Sequence, residues 1–198
     1  MTDICVIGGN GFVGFSICSE LQRKKTDFVK ITRQNYSSYK NKKFKIVINA
    51  AMPSKRFWAK NNPDLDYEET VTKTKNIISD FKFEKIIHVS TVSARCQFHT
   101  TYGKNKKNSE DLIKQTPNYL IIRLGPMYGV GLTKGVLVDM LNNGTVFFNG
   151  KSKYSFTDVS WNAKWIINNL NLKNQLVEVG ATDYIELEKL AKLINSTA

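Results

Sequence analysis

The feature that most constrains this chain is the run Gly8-Gly9-Asn10-Gly11-Phe12-Val13-Gly14, set directly behind the apolar run Ile4-Cys5-Val6-Ile7. It satisfies both Gly9-x-Gly11-x-x-Gly14 and Gly8-x-x-Gly11-x-x-Gly14. In a strand–turn–helix unit, one glycine makes the tight turn and a second lets the backbone approach a pyrophosphate. A third lets the helix pack close to the sheet. The helix start then offers free N–H groups and a partial positive charge to phosphate oxygens. A glycine motif alone is weak evidence, and an ordinary glycine turn is the plainer reading. The strand before it and a helical pattern over about 12–24 favour a dinucleotide site built from Gly8, Gly9, Asn10, Gly11, Phe12, Val13 and Gly14.

The rest of the chain alternates short apolar runs with longer periodic stretches, the pattern of an α/β layered fold with a parallel sheet. Strands are expected at 28–32, 44–49, 85–90 and 119–123. Helices are expected at 63–78, with Pro63 a good first helical residue, and at 101–115. Past Gly125 the glycines at 129, 131, 135 and 144 punctuate shorter elements, and helical stretches recur at 160–170 and 185–194. The whole chain, 1–198, reads as one Rossmann-type, doubly wound domain.

Two places test the chemistry of such a domain. An NAD site usually has an acidic residue about 20 positions beyond the glycines, bonded to the ribose 2′-hydroxyl. Here that place reads Thr32-Arg33-Gln34-Asn35, without a carboxylate. Arg33 suits a 2′-phosphate, so NADP is expected, with NAD the alternative. Further on, Tyr102 and Lys106 stand four apart on a helix and point the same way. A phenol of ordinary pKa near 10 is a poor proton donor or acceptor at neutral pH, and a neighbouring ammonium is expected to lower that value. Lys106 would also hold the nicotinamide ribose. The preceding strand ends Ser90-Thr91-Val92-Ser93, which brings hydroxyls to the carboxyl edge of the sheet, where ligands bind in such folds.

A formal net charge of +12 raises the question of nucleic acid. Most of it is lysine spread along the chain, the densest run (Lys40 to Lys45) is expected in a polar loop, and no helix-turn-helix or zinc-finger spacing occurs. A solvated surface is favoured over nucleic-acid binding. Cys5, Cys18 and Cys96 form no C-x-x-C pair, no metal-ligand cluster exists, no run is long enough to span a membrane, and no leader is read at the N-terminus. The expectation is a cytoplasmic protein. The segment 52–58 is read as a loop bordering the site. There Arg56 or Lys55 could meet a diphosphate and Trp58 could stack on a base, or Phe57 and Trp58 could be tucked into the core. Trp161 and Trp165, four apart, are read as core, and His88 as structural.

Taken in order, these motifs resemble the extended short-chain dehydrogenase/reductase family, in its NAD-dependent epimerase/dehydratase group. Beyond the glycine turn, Ile48-Asn49-Ala50-Ala51 resembles a third-strand motif lining the cofactor. Thr74-Lys75-Asn76-Ile77-Ile78 resembles the family's G-T-x-N-L-L helix, with Lys73 in place of its glycine and Thr70 in place of its usual asparagine. His88-Val89-Ser90-Thr91 resembles the strand with the catalytic hydroxyl, and Tyr102-x-x-x-Lys106 with Glu110 the catalytic helix. Arg123-Leu124-Gly125-Pro126-Met127-Tyr128-Gly129 resembles the R-P-G-x-x-Y-G turn, Phe156 to Val159 the return segment, and Val177 to Gly180 the last strand. The resemblance implies Thr91, Tyr102 and Lys106 as catalytic residues. It adds Asn49, Ala50, Ala51, Ser90, Lys106 and Leu124 to the glycine turn and Arg33 as cofactor contacts. Arg56, Ser93 and Met127 are expected to meet substrate, with Ser93 a second candidate for the hydroxyl role.

The activity implied is an NADP-dependent reductase or epimerase of a nucleotide-linked sugar or similar carbonyl, with a homodimer formed through the helix bearing Tyr102. Dehydration is disfavoured, because Val92 and Ser93 follow Thr91 where a dehydratase places acids. The chain is shorter than typical members after Gly129, so 125–155 and 176–198 read as a reduced substrate-binding region. The alternative is a non-catalytic NAD(P)-binding sensor or interaction module.

Overall fold

The computed structural model describes residues 3–197. Strand β1 (Ile4–Ile7) is buried along its whole length, as its unbroken apolar run requires of a strand covered on both faces. It pairs in parallel with β2 (Phe28–Ile31) on one side and β3 (Lys43–Asn49) on the other. Strands β4 (Lys82–Thr91) and β5 (Tyr119–Leu124) extend the sheet beyond β3, again in parallel. With the late parallel strand Gln175–Val179 (β9) after them, the order is β2-β1-β3-β4-β5-β9. Between β2 and β3 the chain makes only a short 3₁₀ turn, Tyr36–Tyr39. It therefore crosses β1 at once, and the connections leaving β1 and β3 diverge at one point of the sheet edge. Such switch points are where open parallel sheets bind ligands.

Helix α1 (Phe12–Arg23) lies on one face of the sheet, with Ile17 and Leu21, one turn apart, fully buried. Complete burial of such a side chain contributes about 1.5–3 kcal/mol. The expected 63–78 helix is found as α3 (Pro63–Tyr67), a π-helical turn at Glu68–Thr72, and α4 (Lys73–Asp80). At that turn the Thr74 hydroxyl donates to the Thr70 carbonyl at 2.7 Å, a back-bond of the kind that bends helices. A helix, α2 (Arg56–Asn61), begins within the 52–58 segment, where a loop is expected from the sequence. Its Phe57 is exposed rather than tucked in, whereas Trp58 is partly buried.

Helices α5 (Ser93–Cys96) and α6 (Thr101–Ile113) follow β4. After β5 come β6 (Met127–Tyr128), α7 (Val136–Leu141), β7 (Lys153–Tyr154) and β8 (Thr157–Asp158). The chain closes with α8 (Val159–Asn168), β9 (Gln175–Val179), β10 (Ile185–Glu186) and α9 (Leu187–Leu193). Met140, Leu187 and Leu190 form a small separate core with Val136, Tyr154 and Phe156, and this core makes a minor lobe of α7, β7, β10 and α9.

Two local expectations change. Trp161 is half exposed, because Val159, Ala163 and Ile166 occupy the inward stripe of α8; Trp165 packs against the main core. Lys43 and Lys45 lie in β3 rather than in a loop, and alternate outward around the buried Phe44. Cys5 and Cys18 are buried thiols, while Cys96 is exposed.

Candidate active site

The glycine turn is built by close approach. Gly8 has φ +84°, and its N–H donates to the Ile31 carbonyl at 2.9 Å, tying the turn to the end of β2. A Cβ on Gly8 would stand 2.7–2.8 Å from the backbone of Ala50 and Ala51, and one on Gly14 would stand 2.2 Å from the Gly8 carbonyl oxygen. Neither position has room for a side chain. Gly11 caps α1 without a side-chain bond, and the first helical bond runs from Phe15 N–H to Gly11 at 2.7 Å. The N–H groups of Phe12, Val13 and Gly14 precede that bond and have no helical acceptor. A backbone pressed this close, with free amides at a helix start, fits a pyrophosphate.

Asn10, Gly11, Phe12 and Val13 line a cleft of about 810 Å³, within the range of ligand sites. The same cleft is lined by Ala50, Ser90, Thr91, Tyr102, Lys106, Leu124, Arg56 and Met127. Outside it lie Gly8, Gly9, Gly14, Asn49, Ala51, Arg33 and Ser93. The three glycines and Ala51 shape the turn behind the wall. Asn49 is fully buried, with its Oδ1 accepting from Ala51 N–H at 3.1 Å. Arg33 sits on the exposed tip after β2, with Glu69 as its partner at 3.5 Å. Ser93 is fully buried in α5, because the strand ends at Thr91 and the chain turns inward.

Thr91 is the last residue of β4. Tyr102 and Lys106 come from the first two turns of α6, whose N-terminus is held by the Thr100 hydroxyl accepting from Gly103 N–H at 3.1 Å. Gly103 is required there, since a Cβ would lie 2.1 Å from the Gln97 carbonyl oxygen. Lys106 is almost fully buried, with Nζ donating to the Pro53 carbonyl at 2.8 Å and standing 5.1 Å from the Tyr102 ring centroid. Burial pulls the Lys106 ammonium down to about 7, against the opposing charge of Asp66. Tyr102 is pushed up to about 12, chiefly by burial, with Arg56 and a hydrogen bond from Thr91 pulling the other way. The phenol therefore stands above its ordinary value and not below it, as the Tyr102–Lys106 spacing led one to expect, because burial outweighs the lowering by Arg56 and Thr91.

Buried polar groups brace this helix. The Asn49 amide faces His88 Nδ1 at 3.2 Å, and His88 Nε2 faces the Ser109 hydroxyl at 3.2 Å. Ser109 in turn donates to the Lys106 carbonyl at 2.7 Å. With Asn49 Oδ1 engaged by Ala51, the amide nitrogen donates to Nδ1 and the imidazole carries its proton on Nε2. Burial holds that ring neutral, with its pKa down to about 3. His88 is thus structural. Glu110, also fully buried, accepts from Ser90 at 2.6 Å and from both Nε (2.9 Å) and Nη2 (2.7 Å) of Arg123. The Ser90 hydroxyl is committed to that network. Residues that sequence reasoning did not single out include Lys134, Phe148 and Tyr154 on the cleft wall, and Asp66 behind it; Pro53, from the segment expected to border the site, and Phe156 line it too. Tyr154 and Phe156 stack at 5.4 Å.

The model of the NAD dependent epimerase/dehydratase family matches residues 4–160. The chain belongs to that family. Solved structures agree on the fold. A UDP-glucose 4-epimerase of Thermotoga maritima, solved with UDP-glucose, superposes with a TM-score of 0.78 at 16% identity, over 98% of this chain and 81% of that one. A dTDP-4-dehydrorhamnose reductase from Clostridium acetobutylicum gives 0.78 at 19% identity, over 97% and 79%. TunA, an NAD dependent NDP-hexosamine 5,6-dehydratase of tunicamycin biosynthesis, gives 0.81 at 14% identity, over 98% and 80%. No curated protein sequence matches the chain. Among the described residues, no helix is long and apolar enough to cross a membrane, and no group of three metal-ligating side chains could hold an ion.

Proposed function

We propose that this family member is an NADP-dependent reductase or epimerase acting on a carbonyl or hydroxyl of a nucleotide-linked sugar or a similar substrate. The observation that carries this reading is the convergence of Thr91, Tyr102 and Lys106 on the same cleft as the glycine turn. Gly8 to Gly14 and Lys106 would hold the dinucleotide, which when bound supplies or accepts a hydride. Thr91 orients the substrate oxygen. Tyr102, protonated at neutral pH because burial lifts its pKa to about 12, is set to give a proton to a carbonyl oxygen. The solved relatives named for UDP-glucose and dTDP-4-dehydrorhamnose support the substrate class, and the minor lobe closes the side of the cleft where that substrate would lie.

Tyr102→Phe is expected to lower turnover by at least a hundredfold while leaving NADPH affinity within about twofold. Retained turnover in a coupled carbonyl-reduction assay contradicts the assignment. Net consumption of NADPH marks a reductase; substrate interconversion without it marks an epimerase. The cofactor choice rests on Arg33, exposed at the tip of β2, and on Lys30, whose stem crosses Gly9. Arg33→Ala is expected to weaken NADPH about tenfold and NADH hardly at all, the loss of one charge-assisted contact. Equal effects on the two cofactors would show that Arg33 does not read the 2′-phosphate.

A further inference from the structure

Among the described residues two acids are buried completely, Asp66 and Glu110, and they are held differently. Glu110 is gripped by the Arg123 guanidinium. Asp66, on α3 where it packs against α6, forms no ion pair among the described residues. Its Oδ2 accepts from the Asn105 amide at 2.9 Å, and its Oδ1, also buried, has no hydrogen-bond partner there. A carboxylate taken out of water and held by one neutral donor is unfavourable unless an opposite charge offsets it. Lys106 stands in the complementary position. It is almost fully buried, with no acid in ion-pair contact and the Pro53 carbonyl as its bonded partner.

Helix α6 brings the two together. Asn105 directly precedes Lys106 and follows Tyr102 by three residues, the spacing of neighbours on a helix surface. A carboxylate seated on the Asn105 amide therefore lies against the stretch of helix that carries both site residues. Its charge acts on both, favouring the ammonium of Lys106 and opposing ionisation of Tyr102. The other groups around Lys106 do not replace it. Lys73 of α4 and Lys134 before α7 repel the ammonium, and His88 of β4 is neutral. Arg56 of α2 acts on Tyr102, and Glu110, one turn further along α6, is matched by Arg123. Asp139 of α7 lines the cleft, but the acid that offsets the repulsion at Lys106 is Asp66.

We propose that Asp66 is a positioning residue of this site: its carboxylate, seated on Asn105, keeps the buried Lys106 side chain an ammonium near neutral pH and so able to hold the dinucleotide. The inference rests on the part given to Lys106 in the function proposed above.

The deciding variant is Asp66→Asn, which keeps the shape and an oxygen for the Asn105 amide and removes the charge. Unliganded protein carrying isotope-labelled lysine is titrated by NMR, following the Lys106 Cε resonance, assigned by its loss in Lys106→Met. The midpoint, about 7 in wild type, is expected to fall by at least about one pH unit in the variant. The sign separates a charge from a brace. If Asp66 only braces the helix, replacing it lets water in, and the midpoint rises towards the ordinary lysine value or stays where it is. Either result overturns the proposal. Where melting shows that Asp66→Asn is unfolded, Asp66→Leu with Asn105→Ala takes its place under the same expectation, since it leaves no buried donor orphaned.

Calorimetric titration with NADP⁺ then reads the consequence for binding. The wild-type advantage in affinity over the variant is expected to grow at least about fivefold between pH 5.5 and 7.5, because the variant gives up its ammonium at lower pH. An advantage of the same size at every pH overturns the link to the dinucleotide. If neither protein binds a dinucleotide, the function proposed above fails, while the lysine titration still decides what Asp66 does to Lys106.

Discussion

The unliganded protein is expected to gain stability as the pH rises from about 7 towards 10, and Lys106→Met is expected to remove that gain. Burial depresses the Lys106 pKa from 10.5 to about 7 in the folded state, with Lys73 and Lys134 adding to the fall and Asp66 opposing it. In the unfolded chain the group returns to its ordinary value. Between the two values the unfolded chain binds a proton that the folded chain has released, so raising the pH favours folding. Below about 7 both states are protonated and the destabilisation is present in full. Above about 10.5 neither is, and it is gone. The interval corresponds to something on the order of 4–5 kcal/mol.

Tyr102 works in the opposite sense, but only at higher pH. Its folded pKa is raised to about 12, so the stability it confers is present below about 10 and lost from there upward. Comparing wild type with Lys106→Met by urea unfolding at each pH from 6.5 to 9.5 isolates the lysine. A difference that stays flat over that range would mean that Lys106 is not desolvated. The same variant is expected to lose turnover, which makes Lys106 a residue kept at a cost in stability.

Arg123→Ala is expected to cost about 3–5 kcal/mol, the usual penalty for removing one partner of a buried ion pair. In a chain of this size that is a fall of roughly 10 °C in Tm. Arg123 grips both oxygens of the fully buried Glu110 and reaches Glu178 at 3.3 Å, which is itself held by Arg95 at 2.7 Å. Without Arg123, Glu110 keeps only the Ser90 hydroxyl as a partner inside the core. The double change Arg123→Met with Glu110→Leu is expected to recover most of the loss, because it removes both charges and keeps the volume. Thermal melts of the two variants beside wild type decide it, and a loss below about 1 kcal/mol for Arg123→Ala would be typical of a surface pair rather than a buried one.

Much of this arrangement is legible in the sequence because few conformations satisfy it. Gly8 and Gly14 admit no side chain, which makes the turn between β1 and α1 readable before any coordinates. The four-residue spacing of Tyr102 and Lys106 puts them on one helical face, and both do line the cleft. What could not be read depends on contacts distant along the chain. Strand β10 meets β7 through Ile185 and Tyr154, and both strands are two residues long, too short to show a period. Lys134, Tyr154 and Phe156 reach the cleft through that lobe. Arg33 finds Glu69 across 36 positions. Ser93 left the cleft because β4 stopped at Thr91, a boundary that differs from its alternative by one turn. The rise of the phenol pKa has a similar origin: spacing puts an ammonium beside Tyr102, but only packing shows how deeply both are buried.

The glycine turn as a working dinucleotide site is the premise on which the function rests, and calorimetric titration of the purified protein with NADPH and NADH tests it directly. Saturable binding of both, with NADPH the tighter, is the predicted result. Absence of binding by either would contradict it, and would leave the cleft without the cofactor that Thr91, Tyr102 and Lys106 need in order to act.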